Sequence, residues 1–325
     1  MISILSYGKE TVHTDITIAD IKTILPKKDV LLWVNIVEEP DEISKSILED
    51  VFNFHPLAVD DALEERHSPK VDDWDAYLYL VIHAIGYDAH ELTPLSTREL
   101  DIFLGTNFLV TYQVKAIDTV QRIWQTCLRD VHRLQQGTGR MLYYLIDELV
   151  GDYFPAIESI DDAIDAIEDE VFIKPRQSLL EDIFTLKRST LHLRRIIAPQ
   201  REVLSKLARG DFQVIRKEDR IFFRDVYDHL VRLYDIVDGL RDLAGSALET
   251  YLSVVNNRMN DIMKTLTIIT TFFMPLSFLT GFFGMNFFFN PGGGIINTVF
   301  LTIVLLIMTV TPILMYFWMR RRAWM

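Results

Sequence analysis

Asn260, Met263, Thr267, Thr270, Met274, Ser277, Gly281 and Gly284 recur at alternating spacings of three and four. That spacing places them on one face of an α-helix. Ile, Leu and Phe dominate the other faces. A narrow polar and small-residue row on an otherwise apolar helix calls for a partner other than lipid. A second helix packed through small residues and hydroxyls would serve, and so would an aqueous lumen. One chain with two spans cannot enclose a lumen, so that reading requires several copies with this helix at the centre. In such a ring Asn260 would offer amide oxygens to a hydrated cation, and Met263, Leu266 and Met274 would form apolar constrictions that gate by dewetting. No carboxylate falls within the apolar stretch. Neutral oxygens suit a small divalent cation that gives up its water reluctantly, as Mg²⁺ does.

Other chemistries find little support. There is no nucleophile–base constellation, no phosphate-binding glycine loop and no paired His/Cys metal spacing, and the eight histidines are scattered. The chain therefore reads as a non-enzyme with no organic cofactor. Its net charge is −13, which argues against a nucleic acid partner, since that needs a basic surface. The lone Cys127 gives no intramolecular disulfide and agrees with a reducing compartment.

The elements that position the row begin with an uncharged run. From Thr265 to Met319 there is no Asp, Glu, Lys, Arg or His, enough for two bilayer crossings at about 20 residues each. The spans are read as 263–283 and 295–318, with lipid as their surroundings. Arg258 and Lys264 precede the first, and Arg320, Arg321 and Arg322 follow the second. Positive flanks mark the cytoplasmic side. This predicts a multi-pass protein of the cell (inner) membrane with cytoplasmic termini and an external 284–294 loop. Met1–Tyr7 has neither the basic nor the long apolar segment of a secretory signal.

All the acidic residues precede the apolar run. Strand signals over Val30–Val37, Ala76–Tyr87 and Leu100–Gln113 (the last turning at Gly105-Thr106-Asn107) combine with helix signals over Asp41–Phe54 and Pro56–Leu63. Residues 1–115 thus read as an α/β domain. Residues 116–217 read as an acidic helical hairpin region: Ile146, Leu149, Tyr153, Ile157, Ile160, Ile164, Ile167 and Val171 form an apolar stripe, and ten Asp or Glu with no basic residue lie between Arg140 and Lys174. These acids suit either a solvated face or a cation reservoir. A helix from Pro175 to about Ala208 has Pro199 as a bend or break. From 218 a stalk helix runs unbroken to 283 through Val226, Leu230, Leu233, Val237, Leu240, Ala244, Ala247 and Tyr251, able to carry a change in the soluble part to a gate. A basic tail, 319–325, closes the chain.

Asn260, Met274-Pro275-Leu276 and Gly284-Met285-Asn286-Phe287 together resemble the CorA family of divalent-cation channels, the two-transmembrane Gly-Met-Asn superfamily. His55-Pro56-Leu57, Asp60-Asp61 and Pro69-Lys70 are similar to its N-terminal signature. Leu145-Ile146-Asp147, Asp152-Tyr153-Phe154, Ile160-Asp161-Asp162 and Phe223–His229 are similar to its helical segments. The resemblance implies a funnel-shaped homopentamer with span one lining the pore, and an outer mouth of Gly284, Met285 and Asn286 that captures hydrated Mg²⁺. It further implies Mg²⁺ sensing between soluble domains, Asp61 facing Asp225 of the neighbour with Asp60 and Asp147 as an accessory pair.

The chain departs from the family pattern in two places. Phe283 stands where the family usually has Tyr, and the loop Phe287–Gly294 lacks the usual acidic motif. The leading expectation is a channel for Mg²⁺, with Co²⁺ and Ni²⁺ as further cargo, gated by intracellular Mg²⁺. A Zn²⁺ transporter of the same superfamily and a non-transporting membrane-anchored scaffold are the alternatives.

Overall fold

The computed structural model describes residues 1–64, 67–87, 95–285 and 294–321. The chain forms two compact units, Met1–Leu248 and Glu249–Met325. The first is built on β1 (Ile2–Gly8), β2 (Thr11–His13), β3 (Leu31–Val37), β4 (Lys70–Asp73), β5 (Leu78–Tyr87), β6 (Leu95–Leu104) and β7 (Phe108–Gln113). They make a seven-stranded sheet in the order β2-β1-β3-β7-β6-β5-β4. β3 and β7 run parallel, and the other neighbouring strands are antiparallel.

Alternating side chains bury both faces of this sheet. Leu32, Val34, Ile36, Tyr79, Val81, Phe103 and Val110 join one core cluster with Ile21, Leu48, Phe54, Ala58 and Val59. Those partners come from α1 (Ile18–Ile24), α2 (Asp41–Lys45, continued by a π-helical turn over Ser46–Val51) and α3 (Pro56–Leu63), and from the segment between the last two. The second helical set is α4 (Asp118–Arg129), α5 (His132–Gln135), α6 (Thr138–Gly151), α7 (Tyr153–Ile173) and α8 (Gln177–Arg209), of which α6 and α7 contact β5 and α8 contacts β4 and β5.

Several elements differ from the sequence reading. The 41–54 helix winds into its π-turn at Ser46, with Phe52 N–H reaching Ile47 O at 3.2 Å, and Asn53 at φ +56° ends it. β6 begins at Leu95, five residues early. Its turn into β7 depends on Gly105, where a Cβ would sit 2.2 Å from the Phe108 ring. The stripe from Ile146 to Val171 is shared by α6 and α7, and all eight of its residues are buried. Asp152 between them keeps helical dihedrals, so the stripe stays in phase across the joint. Pro199 does not break α8; Ile196, Ile197, Gln200, Val203 and Leu204 are buried around it, and that packing outweighs one lost backbone bond. β1, β2, β4 and α1 were not anticipated.

α9 (Arg220–Phe283) is 64 residues long and continues through Pro275. Asp219 stands just before its first turn, fully buried, and accepts from Arg140 Nε at 3.1 Å and Arg216 Nε at 3.0 Å. α10 (Gly294–Arg321) contains Pro312. α9 and α10 are the two helices among the described residues long and apolar enough to cross a membrane.

Candidate functional site

Asn260, Met263, Leu266, Thr267, Thr270, Met274, Ser277, Gly281 and Gly284 are all exposed along α9 and its C-terminal turn. Ile268, Thr271, Phe272, Pro275, Leu276, Leu279 and Phe283 are half-buried. At 3.6 residues per turn the two sets lie roughly on opposite sides of the helix. The half-buried side ends at Phe283, whose ring meets Phe300 of α10 edge-on at 5.8 Å. The row therefore points away from the side where the chain's second span touches α9.

Its threonines are arranged in one way. Thr267 Oγ1 donates to Met263 O at 2.8 Å and Thr270 Oγ1 to Leu266 O at 2.9 Å. A hydroxyl whose proton is spent on its own helix presents lone pairs outward. Toward a lumen such oxygens accept; they solvate a cation and have nothing to donate to an anion.

At the far end of α9, Gly284 N–H closes on Thr280 O at 2.9 Å, and a Cβ at Gly284 would lie 2.6 Å from that same oxygen. This is the physical reason for a glycine there. Met285 is exposed. Asn286, the third residue of the expected mouth, and Arg322 of the basic tail lie outside the described residues.

The four expected regulatory carboxylates fall into two places. Asp60 and Asp61 sit on α3, and both have cationic partners that sequence reasoning missed. Lys45 Nζ reaches Asp60 at 3.0 Å. Lys70 holds Asp61, with His67 Nε2 at 3.7 Å. The Pro69-Lys70 dipeptide was noted as a motif, but nothing in its spacing announced an ion pair. Asp147 on α6 and Asp225 on α9 influence each other within one chain. Burial holds the Asp147 carboxyl above its ordinary range, opposed by the nearby His229 and raised further by Asp225; Tyr143 hydrogen-bonds to it. Asp225 is exposed and forms no ion pair among the described residues.

Within one chain these acids do not make a metal centre. Among the described residues no group of three His, Cys, Asp or Glu is gathered to hold a metal ion. The available donors at Asp147, Asp225 and Tyr143 are all oxygens, which fit a hard cation such as Mg²⁺ once more ligands arrive.

Comparison with known proteins gives this arrangement its setting. Residues 28–321 match the family described as CorA-like Mg2+ transporter protein. The cobalt/magnesium transport protein CorA of Thermotoga maritima is 34% identical over 338 residues, covering 100% of this chain and 92% of its own. The zinc transport protein ZntB of Yersinia pseudotuberculosis is 25% identical, covering 83% and 81%. The solved structure of the CorA magnesium transporter from Methanocaldococcus jannaschii superposes with a TM-score of 0.84 at 24% identity, covering 100% of this chain and 99% of that one. A family match along nearly the whole sequence, and a relative 34% identical over all of it, in a chain with two helices long and apolar enough to span a membrane, place the chain in the CorA family of divalent-cation transporters.

Proposed function

We propose that the chain is the subunit of a homopentameric Mg²⁺ channel of the inner membrane, with Co²⁺ and Ni²⁺ as further cargo and both termini in the cytoplasm. One observation carries this reading: the Asn260–Gly284 row faces away from the chain's own second span and offers uncharged polar, small or thioether side chains, with the Thr267 and Thr270 oxygens turned outward as acceptors. Copies of α9 brought together through that face would surround a lumen lined by amide and hydroxyl oxygens. Met263, Leu266 and Met274 would narrow it with rings that dewet when the bundle tightens. The donor set favours Mg²⁺ over Zn²⁺, because Zn²⁺ is held by imidazole and thiolate and the row has neither. Gly284, Met285 and Asn286 would form the external mouth, where amide oxygens accept from the hydration shell of the arriving ion.

Gating follows from the carboxylates. Asp225, without an ion pair among the described residues, and Asp147 beside it would meet Asp61 and Asp60 of a neighbouring copy. Apposed carboxylates repel until a divalent ion bridges them. Bound Mg²⁺ would hold the soluble units together, and its loss at low cytoplasmic Mg²⁺ would loosen the ring. The Lys70–Asp61 and Lys45–Asp60 pairs give each acid an alternative partner in the loosened state.

The test is flux in proteoliposomes with Mg²⁺ or Zn²⁺ as the only divalent cation. Mg²⁺ flux should exceed Zn²⁺ flux and should be lost in Asn286→Ala, and Asp225→Ala should weaken inhibition by Mg²⁺ on the soluble-unit side. Flux of Zn²⁺ without Mg²⁺ would move the assignment to the zinc branch. Absence of both would return the chain to the role of a membrane-anchored scaffold.

A further inference from the structure

A cleft of about 430 Å³ opens beside β5 and α8, lined by His67, His83, Thr97, Glu99, His192 and Arg195 among others. It lies apart from the ion path and meets the carboxylate sites described above only through His67, which also neighbours Asp61. At its floor, His83 Nε2 lies 2.8 Å from the main-chain oxygen of His67. A carbonyl only accepts, so Nε2 carries the proton and Nδ1 holds a bare lone pair. That Nδ1 is buried and has no hydrogen-bond partner.

The main chain of the same residue joins the sheet to two helices. β4 pairs with β5 only as far as Val81. At His83, the amide instead donates to Gln200 Oε1 of α8 at 3.1 Å, and the carbonyl accepts from Tyr153 of α7 at 2.6 Å. Tyr153 also donates to Gln200 at 3.2 Å. α8 in turn grips α9: Arg194 Nε donates to Tyr234 at 3.0 Å and its guanidinium pairs with Asp238 at 3.3 Å.

The charged surroundings of the ring are asymmetric. Glu99 of β6 is 3.9 Å from Nε2, on the side already bonded. His67, itself beside Asp61, supplies the carbonyl. From α8 come His192 and Arg195, one turn apart, and Arg195 has no carboxylate partner among the described residues.

We infer that His83 is a proton-operated latch, which holds α8 against the sheet while neutral and releases it when a second proton enters Nδ1. A proton there meets no acceptor and adds to the positive charge that α8 brings, so withdrawing α8 relieves it. Burial, with His192 adding to it, holds the imidazole below its ordinary range. The unfolded or opened form therefore binds the proton more tightly, and closure weakens as pH falls below the ordinary histidine value of about 6.5. On the transport reading proposed above, acidity on the soluble-unit side would reach α9 through Arg194.

The experiment is amide exchange on the reconstituted full chain between pH 7.5 and 5.5, corrected for intrinsic rates, with flux measured on the same vesicles. In the unmodified protein the His83 amide and the α8 amides around Gln200 should lose protection several-fold in acid. His83→Gln keeps a donor for His67 O and should abolish that dependence. His192→Gln, at an exposed position, should weaken the acid response and move its onset to lower pH, because removing a repelling charge narrows the gap in proton affinity between the closed and opened forms. A latch response unchanged in His83→Gln, or an onset unmoved in His192→Gln, overturns the proposal. So does Zn²⁺ protecting the cleft at pH 7.5 in a His83-dependent way, which would make it a metal site. Acid opening with pH-independent flux overturns the link to α9. Absence of flux at every pH strikes only the transport reading and leaves the exchange result to judge the latch.

Discussion

α9 carries the same three-and-four spacing of apolar residues in both halves, and the two halves meet opposite fates. Val226, Leu230, Leu233, Val237, Leu240, Ala244 and Ala247 are all buried within the first unit. Leu252, Val255, Met259, Ile262, Leu266, Ile269 and Phe273 keep the rhythm, and each is exposed. A pattern of this kind says that a face will be covered; it does not say by what. In the first half the cover is the same chain, so those residues set folding stability. In the second half, on the reading proposed above, the cover would be lipid or further copies of α9, and those residues would set assembly and passage of ions.

That contrast can be broken most directly by stability measurements. Leu230→Ala, in the buried half, should destabilise the soluble unit by about 2–5 kcal/mol. Asp219→Ala, which strands two guanidiniums at the start of α9, should cost about 3–5 kcal/mol. Leu266→Ala should stay within roughly 0.5 kcal/mol. Urea unfolding of the full chain in detergent, followed by aromatic fluorescence of the soluble unit, separates these outcomes. A large loss from Leu266→Ala would mean that the exposed half is folded against its own chain after all.

The second comparison is functional. Leu266→Asn should leave the unfolding midpoint in place yet wet a constriction, so that flux persists at Mg²⁺ concentrations that close the unmodified protein. Leu230→Ala should show neither effect beyond its loss of folded protein. Thr267→Val is the finest probe, since it preserves shape and removes one outward lone-pair oxygen. It should lower Mg²⁺ flux by about two- to tenfold, the worth of one hydrogen bond at ~0.5–1.5 kcal/mol, with no change in unfolding.

Much of this contrast is legible in the residues, and the reasons for what is not are physical. The uncharged run and the row from Asn260 to Gly284 depend on local composition and period, which a helix preserves. β3, β5, β7 and α3 were readable for the same reason: each is strongly patterned and bounded by turn residues. β1 breaks its alternation at Ile4-Leu5, both buried in a strand that lies between β2 and β3, so no two-residue period announces it. The π-turn after Ser46 and the passage of α8 through Pro199 depend on packing from elsewhere in the fold, which overrides local preference. The ion pairs of Lys45 with Asp60 and Lys70 with Asp61, and the convergence of His83, Gln200 and Tyr153, require knowledge of which elements lie side by side. No spacing rule contains that. The proposed meeting of Asp61 with a neighbour's Asp225 is a step further away, since it would belong to an assembly and not to a chain.

The back-bonded threonines of the two membrane helices bear on how such a protein is made. Thr265, Thr267, Thr270 and Thr280 on α9, and Thr302, Thr309 and Thr311 on α10, each give their hydroxyl proton to a carbonyl three or four residues earlier. Every such donor is satisfied before any other copy arrives. On the channel reading proposed above, a newly synthesised subunit could thus enter the bilayer alone and wait there, its future lumen wall stored as an ordinary lipid-facing helix. Biogenesis would then need no concerted insertion of several chains, and the expected order of events is insertion first, lateral gathering second, water entry last.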